Sequence, residues 1–430
     1  MQPRIPVIHL KLQYEAIREE THAAIRRVLE RQDFILGPEV SELEQAVARR
    51  HDCAYGIGCA SGSDALLLSL LALGIGPGDA VLVPAFSFFS TAGSVARTGA
   101  RPVFVDIDPR TFNLAPSAVE AALRGGQIQG MPKAMIPVHL YGQCAAMDSL
   151  LELAARHHLS IIEDAAQAIA ARYRNRAAGA MGLCGCFSFY PTKNLGAWGD
   201  GGMITTNDAA LAERLRLLRN HGSVDSASPS TLVQGGPFDS AQDGERQSNR
   251  EPQPNRSPRA DRYRHACLGF NSRLDTLQAA ILLVKLKYLD AWTAERRKKA
   301  TFYRAAFLDA GLSDPAAIYP SRAAPVVLPY TWPEAEHVYH QFTLRVERRD
   351  ELAAYLSERG IETAIYYPAP LHLQPAFASA SSSLGGRPGD CPESERAAQE
   401  VLSIPLYPEL TDEQQARVVE EIKKGIGNRE

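Results

Sequence analysis

The sequence predicts an α/β protein: a mostly parallel sheet with helices on both faces, joined to a smaller α+β lobe. Three observations lead there. Short apolar strands alternate with helical stretches between Leu66 and Ile162, the pattern of a parallel sheet covered on both sides. One apolar run, Leu159 to Ile162, ends in two acids, Glu163 and Asp164, as strands do where α/β proteins hold ligands at their carboxyl ends. The chain has 430 residues, long for one compact core, so two domains are expected.

In order along the chain, the periodicity predicts a helix over Tyr14–Glu30, with Ile17, Ile25, Val28 and Leu29 toward one side, and a second over Pro38–Arg50. An apolar helix from Leu66 to Leu73 ends at Gly74. Then come a strand at Ala80–Val83, a helix at Ser90–Thr98, a strand at Pro102–Asp106 and a helix at Ser117–Leu123. A strand at Ala134–His139, a helix at Met147–His157 and the strand at Ile161 follow, with a helix start expected after Asp164. From Asp275 to Leu308 the pattern is one long helix with Lys and Arg on its solvent side. The last part mixes a strand at Gln341–Val346 with helices at Asp350–Arg359 and Asp412–Lys424. The expected division is a large domain over residues 1–290 and a small one over 291–430.

Composition narrows the function classes. The apolar share is 45% and the charged share 22%, ordinary for soluble globular chains. A formal net charge of −3 argues against non-specific nucleic-acid binding, which needs a cationic surface. No apolar run approaches the roughly 20 residues that span a bilayer, and Met1-Gln2-Pro3-Arg4-Ile5 lacks a signal-peptide core, so the expected compartment is the cytoplasm. Seven cysteines, an odd number without framework spacing, read as reduced thiols. In Cys184-Gly185-Cys186 one intervening residue is too few for a zinc knuckle, and core packing is expected.

The segment Phe187-Ser188-Phe189-Tyr190-Pro191-Thr192-Lys193-Asn194, running into Gly196-Ala197-Trp198-Gly199-Asp200-Gly201-Gly202, carries the most chemistry. Lys193 sits among aromatic and small residues, company that suggests desolvation, a lowered pKa and a nucleophilic amine. Such an amine can form a Schiff base with a carbonyl, pyridoxal phosphate being the commonest biological one. The segment also reads as a surface lysine at a strand end. Asp164 could pair with a pyridine nitrogen and Gln167 could reach a phenolic oxygen, while Asp164 taken alone reads first as a helix N-cap, a role that can coexist with the other. Ser61-Gly62-Ser63-Asp64 before an apolar helix offers backbone N–H groups and the positive end of a dipole to an anion. Ser63 and Ser188 can add hydroxyls.

These motifs stand in an ordered series. It includes Gly37-Pro38-Glu39-Val40, Val83-Pro84-Ala85-Phe86-Ser87-Phe88, Pro137-Val138-His139-Leu140-Tyr141-Gly142-Gln143 and Glu163-Asp164-Ala165-Ala166-Gln167. After the lysine segment come Gly269-Phe270-Asn271-Ser272-Arg273-Leu274-Asp275 and Tyr367-Pro368-Ala369-Pro370-Leu371-His372-Leu373-Gln374. Taken together the chain resembles, almost end to end, the DegT/DnrJ/EryC1/StrS family of nucleotide-sugar aminotransferases, which are fold-type-I pyridoxal phosphate enzymes.

The resemblance implies that Lys193 holds the cofactor covalently, Asp164 binds its pyridine nitrogen, Gln167 its phenolic oxygen, and Phe88 stacks on its ring. Ser63, the Asp64 backbone and Ser188 would hold the phosphate. Asn271 would reach that phosphate in the neighbouring subunit, so a homodimer is implied, and Arg273 would meet a substrate or cofactor anion. Ser63 stands where the family usually has Thr. Candidate substrate contacts are Tyr190, His340, Tyr366 and His372, each of which also suits a scaffold role. L-Glutamate is the implied donor, and a dTDP- or UDP-linked keto-sugar the implied acceptor. The Asn271-Ser272-Arg273-Leu274-Asp275 loop is similar to that of members acting at C3, whereas those acting at C4 more often carry Asn-Tyr-Arg followed by Thr. Related sugar dehydratases have His in place of the lysine. A cofactor-binding regulator without turnover is the other alternative.

One stretch departs from the family. Ser223 to Arg262 is rich in Ser, Pro, Gln, Asp and Arg, too polar to repay the entropy of ordering it. It is expected to be a disordered insertion with no catalytic role, a lid being the alternative reading.

Overall fold

A computed structural model of the chain describes residues 3–126, 128–224, 264–378 and 384–427. Of the expected insertion over 223–262, only Ser223 and Val224 fall within them; the rest lies outside the described residues.

The large domain is built on β1 (Tyr55–Cys59), β2 (Asp79–Pro84), β3 (Arg101–Val105), β4 (Met131–Met135) and β5 (Ser160–Asp164). A short hairpin of β6 (Arg172–Tyr173) and β7 (Arg176–Ala177) precedes β8 (Cys184–Ser188) and β9 (Gly202–Thr206). The central sheet runs β1-β9-β8-β5-β4-β2-β3. Its strands pair in parallel from β8 to β3, while β1 and β8 each run antiparallel to β9. The buried faces are continuous apolar runs, such as Val81, Leu82 and Val83, all fully buried, as a sheet covered on both sides requires.

Helices α1 (Leu10–Arg31) and α2 (Pro38–Arg50) lie against the helix Thr276–Leu286. Helix α3 (Gly62–Ala72) packs on β8 and β9 and touches α4 (Ser90–Arg97). It is apolar all round because neighbours cover it. It starts where Ser61 Oγ accepts from the Asp64 N–H and stops before Gly74, at φ +68°. A separate core of Ala300, Tyr303, Phe307, Phe342, Leu344, Leu402 and Ile422 surrounds the small sheet of β10 (Val326–Val327), β12 (Phe342–Val346) and β13 (Val401–Ile404). Ile5 joins this C-terminal core and bridges to Ile361. The two-residue strand β11 (Ala335–Glu336) pairs with β6.

Four local expectations change. No helix follows Asp164: Ala168 and Ala171 N–H groups make single turns, and Ala170 is left-handed at φ +66°. The strand expected at Ala134–His139 lies at Met131–Met135, because Pro137 has no N–H for the ladder. The long helix divides into Thr276–Leu286 and Leu289–Asp309. No Pro or Gly stands at the break, where the Lys287 and Tyr288 side chains donate to Glu20 of α1. Leu29 is exposed, and Ile17, Thr21, Ala24 and Val28 face inward. Cys184 and Cys186 are buried in the core, and all seven cysteines are free. No helix among the described residues is long and apolar enough to cross a membrane.

Gly202 marks where the fold presses on the site. A Cβ there would stand 2.4 Å from the carbonyl carbon and oxygen of Ser61, the cap of α3. Gly202→Ala is expected to lower stability by about 1–3 kcal/mol, read from the urea unfolding midpoint. An unchanged midpoint would show that the cap can shift without loss.

Candidate active site

The pleat of β5 sends its two terminal acids to opposite faces. Glu163 is fully buried and accepts from the N–H groups of Gly179 (2.8 Å), Met181 (2.6 Å) and Gly182 (2.6 Å). His139 Nδ1 accepts from the Ala145 N–H (3.1 Å), so its Nε2 carries the proton and donates to Glu163 (2.8 Å). Asp164 faces the other way, into a cavity of about 610 Å³ at the carboxyl end of the parallel strands. Its Oδ2 accepts from Thr91 Oγ1 at 2.8 Å and its Oδ1 from the Ala166 N–H at 3.3 Å. Burial pushes this carboxyl up, against the pull of Thr91, the Ala166 N–H, Lys193 and His139.

Lys193 enters the same cavity from the turn between β8 and β9. The turn closes through Lys193 N–H to the Tyr190 carbonyl (2.8 Å) and Ala197 N–H to the Phe189 carbonyl (2.7 Å). A second buried lysine, Lys285, donates to the Gly196 carbonyl at 2.5 Å and ties the turn to the helix Thr276–Leu286. Burial pulls the Lys193 amine down to about 8, against the attraction of Asp164. Near neutrality a usable fraction is therefore the free amine, the form that attacks carbonyls.

Opposite lies a cup of hydroxyls. Ser61, Ser63, Ser90 and Ser188 line the cavity at the N-terminus of α3. Ser63 Oγ and Ser90 Oγ bond each other at 2.6 Å, and the Gly62 and Ser63 N–H groups have no intrahelical acceptor. A Cβ on Gly62 would meet the Ser188 Cβ at 2.7 Å, so glycine keeps the cup open. Asp64 stands behind it: its N–H is taken by Ser61 Oγ, and its carboxylate accepts from Ser272 Oγ at 2.7 Å.

The cavity gathers Lys193, Asp164, Gln167, Ser63, Ser188, Phe88, Tyr190, His340 and Tyr366. Gln167 Oε1 accepts from the Tyr141 N–H (2.6 Å), and its Nε2 donates to Tyr367 Oη (3.2 Å). Phe88 and Tyr190 form an exposed rim, and Phe88 lies 6.0 Å from Tyr367, ring centre to ring centre. His340 is buried beside Asn194, whose amide donates to the Val338 carbonyl. Asn194 Oδ1 thus accepts from His340 Nδ1 at 3.2 Å. Burial, with the charges of Lys193 and Arg296, pushes His340 well below its usual range, so near neutral pH its Nε2 is a bare acceptor.

Besides Asp64, whose N–H is expected at the phosphate but is taken by Ser61 Oγ, three expected residues lie outside the cavity. His372 is buried and bonds Glu395 at 3.0 Å, at a different depression. Asn271 is exposed and bridges to Asn220, and Arg273 Nη1 donates to Asn220 Oδ1 at 2.9 Å. Sequence reasoning gave no role to Ser87, Ser90, Gln341 and Tyr367 at the cavity or to Thr91 behind it. Ser90 and Thr91 open α4, the helix that follows strand β2, and position after a parallel strand is a signal that could have found them.

The donor set fits pyridoxal phosphate. A ring of serines and helix N–H groups suits a phosphate, a buried carboxylate suits a pyridinium nitrogen, and a desolvated amine suits the aldehyde.

Comparison with known proteins agrees. The model of the DegT/DnrJ/EryC1/StrS aminotransferase family matches residues 15–236 and 247–423. A pleiotropic regulatory protein of Geobacillus stearothermophilus is 46% identical over 97% of this chain and 97% of its own. A dTDP-3-amino-3,4,6-trideoxy-α-D-glucose transaminase of Streptomyces venezuelae is 42% identical over 98% of this chain and 96% of its own. The crystal structure of S. venezuelae DesV in complex with a ketimine intermediate superimposes with a TM-score of 0.82 at 41% identity, covering 98% of both chains. A fold, a cavity and a whole-length likeness thus converge, and the chain belongs to the DegT/DnrJ/EryC1/StrS family as a pyridoxal-phosphate-dependent aminotransferase.

Proposed function

We propose that this enzyme moves an amino group from L-glutamate to C3 of a dTDP- or UDP-linked keto-sugar, as a homodimer in the cytoplasm. The observation that carries the reading is Lys193 and Asp164 meeting the serine cup in one cavity, in a chain whose relatives include a dTDP-3-amino-sugar transaminase. Lys193 is assigned the covalent hold on the cofactor, and Ser63, Ser188 and Ser90 its phosphate. Asp164 is assigned the pyridine nitrogen, Gln167 the phenolic oxygen and Phe88 the ring face. Asp64 supports the cup through Ser272 and the cap of α3. When bound, the cofactor supplies an electron-withdrawing ring that stabilises negative charge at the donor's α-carbon. Lys193 Nζ is placed to take the proton from that carbon. Asp164, ionised, holds a proton on the ring nitrogen. His340, a bare acceptor, and Tyr190 and Tyr366 are assigned to the sugar.

The dimer reading rests on the rim. Phe88 and Tyr190 are exposed at the cavity rim, and Phe89, Trp198, Leu268 and Phe270 are exposed beyond it, apolar side chains that a second copy could cover. Asn271 and Arg273 stand outside this chain's cavity, where a second copy could receive them. Residues 223–262 are assigned no catalytic role: deleting Ser226–Pro258 is expected to leave turnover unchanged.

Two experiments test the reading. The visible spectrum of the bound cofactor should change on adding glutamate, whereas a spectrum that never changes favours a regulator without turnover. A panel of dTDP- and UDP-linked keto-sugars should then show amination at C3; product aminated at C4 would refute that position. The pH dependence has a defined sign. Because Lys193 is pulled down to about 8, cofactor capture by the empty enzyme should accelerate about tenfold per pH unit below that value and level off above it. A rise continuing toward pH 10 would mean an unperturbed lysine.

A further inference from the structure

Asp164 is held by a residue that lies outside the cavity. Thr91, the second residue of α4, is fully buried, and its hydroxyl donates to Asp164 Oδ2 at 2.8 Å. That hydroxyl has one proton, already committed, so Ser87 Oγ, 2.9 Å away, is the donor of the next bond. Ser87 lines the cavity and Thr91 does not. A chain of donors therefore runs from Ser87 through Thr91 to one oxygen of the carboxylate. Oδ1 keeps a single long bond, at 3.3 Å from the Ala166 N–H, and is the oxygen left for a ligand.

We propose that Thr91 is a positioning residue: it fixes the rotamer of Asp164 and keeps it ionised, so that affinity for the cofactor depends on a hydroxyl that never touches it. This rests on the assignment of Asp164 to the ring nitrogen. A carboxylate in a buried site tends to take up a proton, and a hydrogen bond to its charged form opposes that. The charged and titratable groups facing Asp164 are Lys193, His139, Tyr367 and Cys186. Lys193 loses its charge as pH rises past about 8, and ionising Tyr367 or Cys186 would repel the carboxylate. The Thr91 hydroxyl is a donor at every pH. Removing it moves the Asp164 carboxyl further up, so the charge is lost at a higher pH on acidification.

The test uses the full-length protein freed of cofactor and titrated with pyridoxamine phosphate, which cannot bond Lys193 covalently. Affinity is measured from pH 5 to 9 for the wild type, Thr91→Val, Thr91→Ala, Thr91→Ser and Asp164→Asn. Thr91→Val and Thr91→Ala should bind about 10- to 100-fold more weakly, with the acid limb of the affinity profile shifted to higher pH. Thr91→Ser should restore affinity to within about threefold and return the limb to its place. Ser and Ala differ by the hydroxyl alone, so equal binding by those two overturns the proposal even if the valine variant fails to fold. Wild-type binding by Thr91→Val, with weak binding by Asp164→Asn, also overturns it and leaves the Asp164 assignment intact. Wild-type binding by Asp164→Asn removes that assignment itself.

Discussion

Lys193→Ala is expected to lower turnover by at least about 10⁴-fold, combining the loss of a nucleophile with the loss of a positioned base. Among the described residues Lys193 is the one lysine lining the cavity; Lys285, also pulled down to about 8 by burial, spends its bond on Gly196 and cannot take over. The variant should still bind the cofactor through the serine cup, but borohydride should no longer attach it to the protein. Mass spectrometry after reduction checks this: cofactor mass remaining on the variant would mean that another residue makes the bond. A second consequence concerns stability. The folded amine titrates below its ordinary value, so the folded state binds fewer protons than the unfolded chain between about pH 8 and 10.5. Its burial penalty is full below pH 8 and is relieved as pH rises through that window. The cofactor-free variant should show a smaller rise in unfolding midpoint from pH 8 to 10 than the wild type.

Asp164→Asn is the second large effect. Asparagine keeps the volume and removes the charge, so packing around Thr91 and the Ala166 N–H should survive. Turnover is expected to fall about 10²- to 10³-fold, the scale on which a fixed electrostatic partner of a reacting centre acts. The same change should move Lys193. Asp164 holds the amine up against its burial, so without the charge the amine titrates lower and the rising limb of the capture rate moves toward acid pH. Activity within about tenfold of the wild type, or a limb that stays in place, would contradict a carboxylate acting on both ring and amine.

Much of this site was legible because its chemistry is carried by short contiguous motifs. Asp164 and Ser188 end strands and Ser63 stands at a helix start, where residue type and position point the same way; Gln167 and Lys193 stand in the turns just beyond β5 and β8, and all five meet in one cavity. Tyr367 comes from the distant C-terminal lobe, so local pattern could not place it. Thr91 reads as an ordinary helix residue between Ser90 and Ala92 until its bond to Asp164 is seen. Strands β1 and β9 were hidden for a related reason. Gly56, Gly58 and Gly202 weaken any strand signal, yet Gly56 is glycine because a Cβ would stand 2.4 Å from the Glu44 carbonyl oxygen. The helix divides at Lys287–Tyr288, where both residues bond Glu20 of α1; no Pro or Gly marks the break, and periodicity does not encode it.

Two adjacent acids with opposite duties leave β5 no freedom of phase. Glu163 anchors the loop 179–182 and His139 from below, and Asp164 serves the chamber above. Deleting one residue from that strand would exchange their destinations, starving the anchor and misaiming the charge at once. Evolution can therefore lengthen the loops on either side of this strand but cannot change the parity of the strand itself. An Asp-Glu inversion at these two positions, with identical composition and net charge, is predicted to inactivate the enzyme.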